Sequence, residues 1–277
     1  MRTLNCNGNL IDLTVPKVMG IINVTPDSFY DGGKTTEISE ILTQAEKMLH
    51  DGASFLDIGG YSSRPGAEAI SEAEELQRVL PPIEAIVKEF PEAIISIDTF
   101  RARVAKLTIE AGAALINDIS AGSLDPNMLN LVSALKVPYI MMHMRGNPQT
   151  MTKLTDYENI SKEVLQYFSE KIATARALGI HDIVVDPGFG FAKTRKLNFE
   201  LLNNLELFKH LEVPYLVGLS RKSMIYKTLG TTSDNALNGT TVLQTIALLK
   251  GASIVRVHDV KEAQECITLI QNLENGG

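Results

Sequence analysis

LKGASIVRVHD, residues 249–259, leaves a helix through glycine, crosses a short apolar run and stops on charged and polar side chains. The same grammar recurs in HDGASFLDIGG (50–60), EAGAALINDIS (110–120) and ALGIHDIVVDPG (177–188). Glycine just past a helix takes the left-handed conformation that ends it, so the step from glycine to strand has a backbone cause. With the remaining apolar β runs, eight strands are expected, beginning near Val18, Ser54, Ile94, Leu115, Pro138, Ile183, Pro214 and Ser253. Amphipathic helices lie between them. Ile41, Leu42, Ala45, Met48 and Leu49 make one stripe, and Ser71 with Glu74 stands at capping-box spacing. Strict β/α alternation with near-continuously apolar strands reads as a parallel sheet covered by helices. Eight such units without a dinucleotide fingerprint favour a closed (βα)8 TIM barrel, one domain over residues 1–277.

With 44% hydrophobic and 21% charged residues, this is the composition of a globular chain with ample core. A formal net charge of −7 argues against a general nucleic-acid or anionic-membrane partner, so an anionic ligand must be held by a local cluster. No signal-peptide pattern and no membrane-length apolar run is present, and Cys6 and Cys266 lack metal-ligand spacing. A cytoplasmic protein with reduced thiols is expected.

In a strand, alternate residues face opposite sides. Ile254, Arg256 and His258 therefore share one face, and Val255 and Val257 the other. An unpartnered buried charge costs several kcal/mol, on the order of the stability margin itself. Arg256 and His258 must meet an anion: a ligand, or a rim acid such as Asp259. The other strands also end on polar groups: Asn23, Asp57, Asp98, Asn117–Asp118, His143, Asp186 and Ser220–Arg221–Lys222. Any one of these could be a turn-forming or capping residue; together they describe one ringed site.

Asp98 and Asp186 could act as acid and base, as metal ligands, or as a clamp on a planar N–C–N donor edge, beside which Asn117 would fit. Ser220, Lys222, Arg256 and His258 follow the last two strands, where barrels often bind phosphate. GLSRKSM (218–224) lacks Walker spacing, and the glycines of DPGFGFAKT (186–194) suit a tight turn better than a phosphate cradle. Phe189 and Phe191 could be core, or could stack on a flat ligand. NVTPDSFYDGGK (23–34) and YSSRPG (61–66) read as connectors or as lids over the mouth.

Taken in order, MGIINVTPDSFYDGG, GGYSSRPG, SIDT, INDIS, MMHMRGNPQTM, VVDPGFGF, VGLSRKSMI and IVRVHDV resemble the dihydropteroate synthase family of folate-pathway barrel enzymes over nearly the whole chain. The resemblance implies condensation of 6-hydroxymethyl-7,8-dihydropterin pyrophosphate with p-aminobenzoate. It implies that Asp98, Asn117, Met142, Asp186 and Lys222 hold the pterin, and that Asn23, Ser63, Arg256 and His258 hold the pyrophosphate. Arg64, Pro65, Phe191 and Ser220 would form the p-aminobenzoate side. Mg²⁺ would sit on Asn23 and Asp31. On the same grounds Asn23, Asp31, Arg64, Lys222, Arg256 and His258 are the expected catalytic set, with a homodimer and sulfonamide binding expected as well.

Two places depart from the family pattern. Tyr61 and Ser63 stand where the second loop usually has glutamate and threonine, and Phe100–Arg101 replace a small residue and lysine. Three alternatives remain at this level. A pterin-binding methyltransferase has no need of the arginine–histidine cradle, and a non-catalytic paralogue would be expected to lose Asp31, Arg64 or Pro65. An unrelated sugar-phosphate barrel leaves the Asp98–Asn117–Asp186 set unexplained.

Overall fold

The computed structural model describes residues 3–24, 34–63 and 69–275. Eight parallel strands form one sheet: β3 (Lys17–Asn23), β4 (Phe55–Gly59), β5 (Ile95–Asp98), β6 (Leu115–Asp118), β7 (Tyr139–Met142), β8 (Ile183–Asp186), β9 (Leu216–Val217) and β10 (Ile254–Val257). Their order is β8-β7-β6-β5-β4-β3-β10-β9. A parallel bridge between Val185 and Tyr215, with Val185 N–H donating to the Pro214 carbonyl at 3.1 Å, joins the two ends and closes the barrel. Each strand begins within two residues of its expected start.

Helices α1 (Lys34–His50), α2 (Glu72–Glu89), α3 (Ala102–Glu110), α4 (Met128–Leu135), α5 (Ile160–Ala177), α6 (Arg195–Asn203), α7 (Ser223–Leu229), α8 (Leu237–Leu249) and α9 (Val260–Asn275) alternate with the strands, except that α7 and α8 both lie between β9 and β10. None of the described helices is long and apolar enough to cross a membrane. Only half of the capping box forms at α2. The Glu74 N–H donates to Ser71 Oγ at 3.2 Å, but the Glu74 carboxylate accepts from Arg78 instead of reaching back.

An N-terminal hairpin, β1 (Thr3–Cys6) and β2 (Asn9–Asp12), was not among the expected elements. Its turn residues Asn7 and Gly8 have φ of +52° and +88°, the signs a two-residue type I′ turn requires. The Asn-Gly pair was its legible signal. Leu4, Cys6 and Leu13 pack with Met19, Phe55, Leu115, Ile140, Val184, Leu216 and Ile254 into one buried cluster, the barrel floor. The intervening residues, including Leu56, Ile58, Ile116, Val185, Val255 and Val257, pack outward with the helices.

This two-layer arrangement places the chemistry. Residues two positions beyond the floor share its inward face. Asp57 follows Phe55, Asn117 follows Leu115, Met142 follows Ile140, Asp186 follows Val184 and Arg256 follows Ile254. A water-poor apolar plug therefore lies beneath a ring of polar groups, where charge–charge interactions are stronger than at a surface.

Candidate active site

Arg256 joins three strands. Its Nε donates to Asp57 Oδ2 at 2.5 Å and its Nη2 to Asp98 Oδ2 at 2.7 Å. Asn117 Nδ2 donates to the same Asp57 oxygen at 3.1 Å, while Asp57 Oδ1 has no partner among the described residues. Burial pushes the Asp98 carboxyl up to about 7, although Arg256 pulls it down. Burial opposes the Arg256 charge, but Asp57 and Asp98 more than offset it and raise its pKa. The anion that Arg256 meets in the protein itself is thus this carboxylate pair. Asp259 pairs instead with Arg221, at 2.8 and 2.9 Å. Asp57 is legible in the sequence as one polar strand end of the ringed site, but its pairing with Arg256 is not.

A second cluster surrounds Asp186. Its Oδ1 accepts the Gly188 N–H at 2.8 Å. Burial raises the Asp186 pKa, with Lys222 the largest opposing influence. Burial also pushes Lys222 down to about 8, despite Asp186. The Lys222 ammonium donates to the Phe189 carbonyl and lies 5.0 Å from the centre of the Phe191 ring. Gly188 has φ +68°, and a Cβ there would come within 2.2 Å of the His143 carbonyl oxygen, so the turn requires glycine. Phe189 is wholly buried and belongs to the core, whereas Phe191 edges a wall of Ile119, Met142, Met144, Met151 and Ala192.

Ser220 and His258 form a third group. The His258 backbone N–H donates to Ser220 Oγ at 3.2 Å, and that oxygen lies 2.9 Å from His258 Nδ1. The direction of the Oγ–Nδ1 hydrogen bond follows the imidazole tautomer, since the hydroxyl can both accept from the backbone and either donate to or accept from the ring. Asn23 closes β3 and Ser63 follows β4, both half-buried. Asp31, Arg64 and Pro65 lie outside the described residues. The described residues contain no cluster of three or more His, Cys, Asp or Glu side chains able to hold a metal ion.

The two sequence departures touch one another. The Tyr61 ring meets Phe100 edge-on at 5.1 Å, and the Arg101 guanidinium lies 5.4 Å from the Tyr61 centroid and 5.2 Å from that of Phe100. Gln149, in the loop after β7, donates to the Tyr61 hydroxyl at 2.9 Å. Arg101 is held in turn by buried Glu75 at 2.5 Å and by the Ile70 carbonyl at 2.6 Å. Tyr61 therefore anchors the start of the second loop through an aromatic and cation–π cluster. Phe100 also packs against the methionine wall.

This ringed barrel mouth agrees with the family comparison. The model of the pterin binding enzyme family matches residues 19–258. Dihydropteroate synthase of Escherichia coli K12 is 43% identical over 270 residues, covering 97% of this chain and 95% of the relative. The structure of Xanthomonas albilineans dihydropteroate synthase with 4-aminobenzoic acid superposes with a TM-score of 0.92 at 38% identity, covering 99% of this chain and 98% of that one. The Yersinia pestis dihydropteroate synthase structure in complex with a sulfonamide drug gives 0.92 at 40% identity, covering 99% of both chains. The chain belongs to the pterin-binding enzyme family, on its dihydropteroate synthase branch.

Proposed function

We infer that this protein condenses 6-hydroxymethyl-7,8-dihydropterin pyrophosphate with p-aminobenzoate, giving 7,8-dihydropteroate and pyrophosphate for folate synthesis. The observation that carries the reading is one mouth with two unlike halves. Asp98, Asn117 and Asp186, with Lys222 beside them, serve the polar edge of a donor-rich heterocycle, and Arg256 and His258, with Asn23 and Ser63, supply donating groups for a diphosphate. A methyl-transferring pterin enzyme has no use for the second half.

The residues divide the work as follows. Asp186 and Asp98 accept from the pterin, and the Met142 wall packs its face. Arg256 exchanges a carboxylate for a phosphate oxygen, which releases Asp98 for the pterin. An arylamine is neutral at pH 7 and needs no strong base. Loss of pyrophosphate from a carbon whose developing cation the dihydropterin ring delocalises is the harder step. Cationic side chains aimed at the departing oxygens favour an SN1-like displacement. Mg²⁺, with Asn23 and Asp31 as its protein ligands, would neutralise leaving-group charge. A donor set that small suits an ion that keeps waters and phosphate oxygens. Ser63 serves the pyrophosphate, while Arg64, Pro65, Phe191 and Ser220 serve the arylamine and the sulfonamides that compete with it.

The decisive assay supplies dihydropterin pyrophosphate, p-aminobenzoate and Mg²⁺, and measures dihydropteroate and pyrophosphate together. One-to-one formation, suppressed competitively by a sulfonamide, is expected. Folded protein that binds the pterin yet forms neither product would point to a non-catalytic paralogue.

A cytoplasmic homodimer completes the reading. On α8, Val242, Ile246 and Leu249 are exposed at i, i+4 and i+7, and on the adjoining α9 Leu269 and Leu273 are each 71% exposed. An apolar face of this kind is suited to a second copy of the chain. Sedimentation should give a dimer that Leu269→Glu with Leu273→Glu converts to active-folded monomer. A wild-type monomer at micromolar concentration would refute the interface.

A further inference from the structure

We propose that Lys193 is a positioning residue of the pterin pocket, holding the loop after β8 in the shape that presents Asp186 and Phe191. The proposal rests on the pterin-binding reading and concerns a group to which that reading gave no task.

Lys193 is only 8% exposed. Among the described residues no carboxylate lies within ion-pair distance of it. Its ammonium sits instead in a cage of neutral acceptors. It donates to the Gly188 carbonyl at 2.9 Å and the Phe191 carbonyl at 3.0 Å, and lies 2.9 Å from His143 Nδ1 and 3.4 Å from the His143 carbonyl. The cage therefore ties the loop after β8 to the end of β7, which carries Met142.

The backbone is bent to make this cage. Gly188, Gly190 and Ala192 all have left-handed φ, +68°, +85° and +48°. Ala192 has a Cβ and is strained there, so the surrounding structure must hold it. Asn198 at the start of α6 secures the other side of the loop. Its Oδ1 accepts from Gly190 N–H at 2.7 Å, and its Nδ2 donates to the Thr194 carbonyl at 2.7 Å. Removal of the Lys193 ammonium would leave several inward carbonyls without their donor.

The charge has its own consequence. The ionisable groups facing this cage are His143 and Arg145 after β7, Asp186 on β8, and Lys222 after β9. Burial, with Lys193 and Arg145, holds His143 neutral, so it accepts from the ammonium through Nδ1. Burial also lowers Lys193 itself, opposed by Asp186. Toward Asp186, Lys193 adds the smallest of three cationic influences, after Lys222 and Arg256, that oppose burial and favour the carboxylate. The pterin clamp requires that carboxylate. Without the Lys193 charge, Asp186 takes up its proton at higher pH, and pterin affinity is lost earlier as pH falls.

The test uses Lys193→Met and Lys193→Gln, which remove the charge, and Lys193→Arg, which keeps it in a different shape. The affinity for 6-hydroxymethyl-7,8-dihydropterin is measured across pH, and the Asp186 carboxyl carbon is titrated by NMR in the unliganded proteins. Both neutral variants should bind the pterin about 10-fold more weakly near neutral pH, with the Asp186 midpoint shifted upward. The arginine variant should lose affinity while keeping the wild-type midpoint. If methionine prevents folding, glutamine, whose amide still donates to the loop carbonyls, carries the comparison. A folded glutamine variant with wild-type affinity and midpoint would overturn the proposal, as would a lower melting temperature with both unchanged. Wild-type protein that binds no pterin would sink the functional reading, whereas the NMR midpoints would still judge the influence of Lys193 on Asp186.

Discussion

Asp186→Ala should weaken 6-hydroxymethyl-7,8-dihydropterin binding by roughly 10- to 150-fold, the loss of a charge-assisted clamp of about 1.5–3 kcal/mol. Three consequences act in the same direction. The carboxylate that faces the ligand disappears. The buried Gly188 N–H, which donates to Asp186 Oδ1 at 2.8 Å, loses its acceptor and leaves the turn less well defined. Lys222, already pushed down to about 8 by burial, loses the carboxylate that most opposes that shift. Its ammonium is then less populated at neutral pH. Asp186→Asn separates these effects, because its amide oxygen still accepts from Gly188 while the charge is gone. Calorimetric titration of both variants should place asparagine between wild type and alanine. Unchanged pterin affinity in a folded alanine variant would remove Asp186 from the site.

The parts legible in the sequence were those set by local periodicity. Alternation in IVRVHD assigned Ile254 and Arg256 to one face and Val255 and Val257 to the other, and the barrel places them so. Glycine-to-strand steps located four of the eight strands because helix termination is a local backbone event, and apolar β runs located the other four. What remained hidden depended on closure. Asp57 and Asp98 stand 199 and 158 residues from Arg256 in the chain, and no spacing rule joins them. Tyr61 and Gln149 meet for the same reason across 88 residues. Lys193 sat in view in DPGFGFAKT, but only the left-handed turns at Gly188, Gly190 and Ala192 direct the neighbouring carbonyls onto its ammonium. The hairpin is a different case. Its Asn7–Gly8 signal was local and sufficient, but TLNC and NLID are too short to stand out as apolar runs.

Arg256→Ala should have the largest effect on stability, because the arginine serves the fold as well as the ligand. Truncating one partner of a buried ion pair costs about 3–5 kcal/mol, since the remaining charge is left unpaired. Here two carboxylates are left, Asp57 wholly buried and Asp98 partly so. Protonation of Asp98 limits the damage, and that fixes the pH dependence. Its pKa in the fold is raised by burial from 3.8 to about 7 even with Arg256 present. A raised carboxylate costs stability once it must ionise, so this cost is absent below about pH 4 and grows as pH rises through about 7. Removing Arg256 moves the folded-state midpoint higher still. The deficit of Arg256→Ala relative to wild type should therefore be largest near pH 8 and shrink toward pH 5, as read by urea unfolding at both. An equal deficit at the two pH values would deny the Arg256–Asp98 coupling. Ligand binding supplies the complementary test. The pyrophosphate ester should lose more affinity than the free hydroxymethyl pterin, which meets Arg256 only indirectly, through Asp98. Equal losses for the two ligands would leave Arg256 as a structural cation and return the phosphate to Asn23, Ser63 and His258.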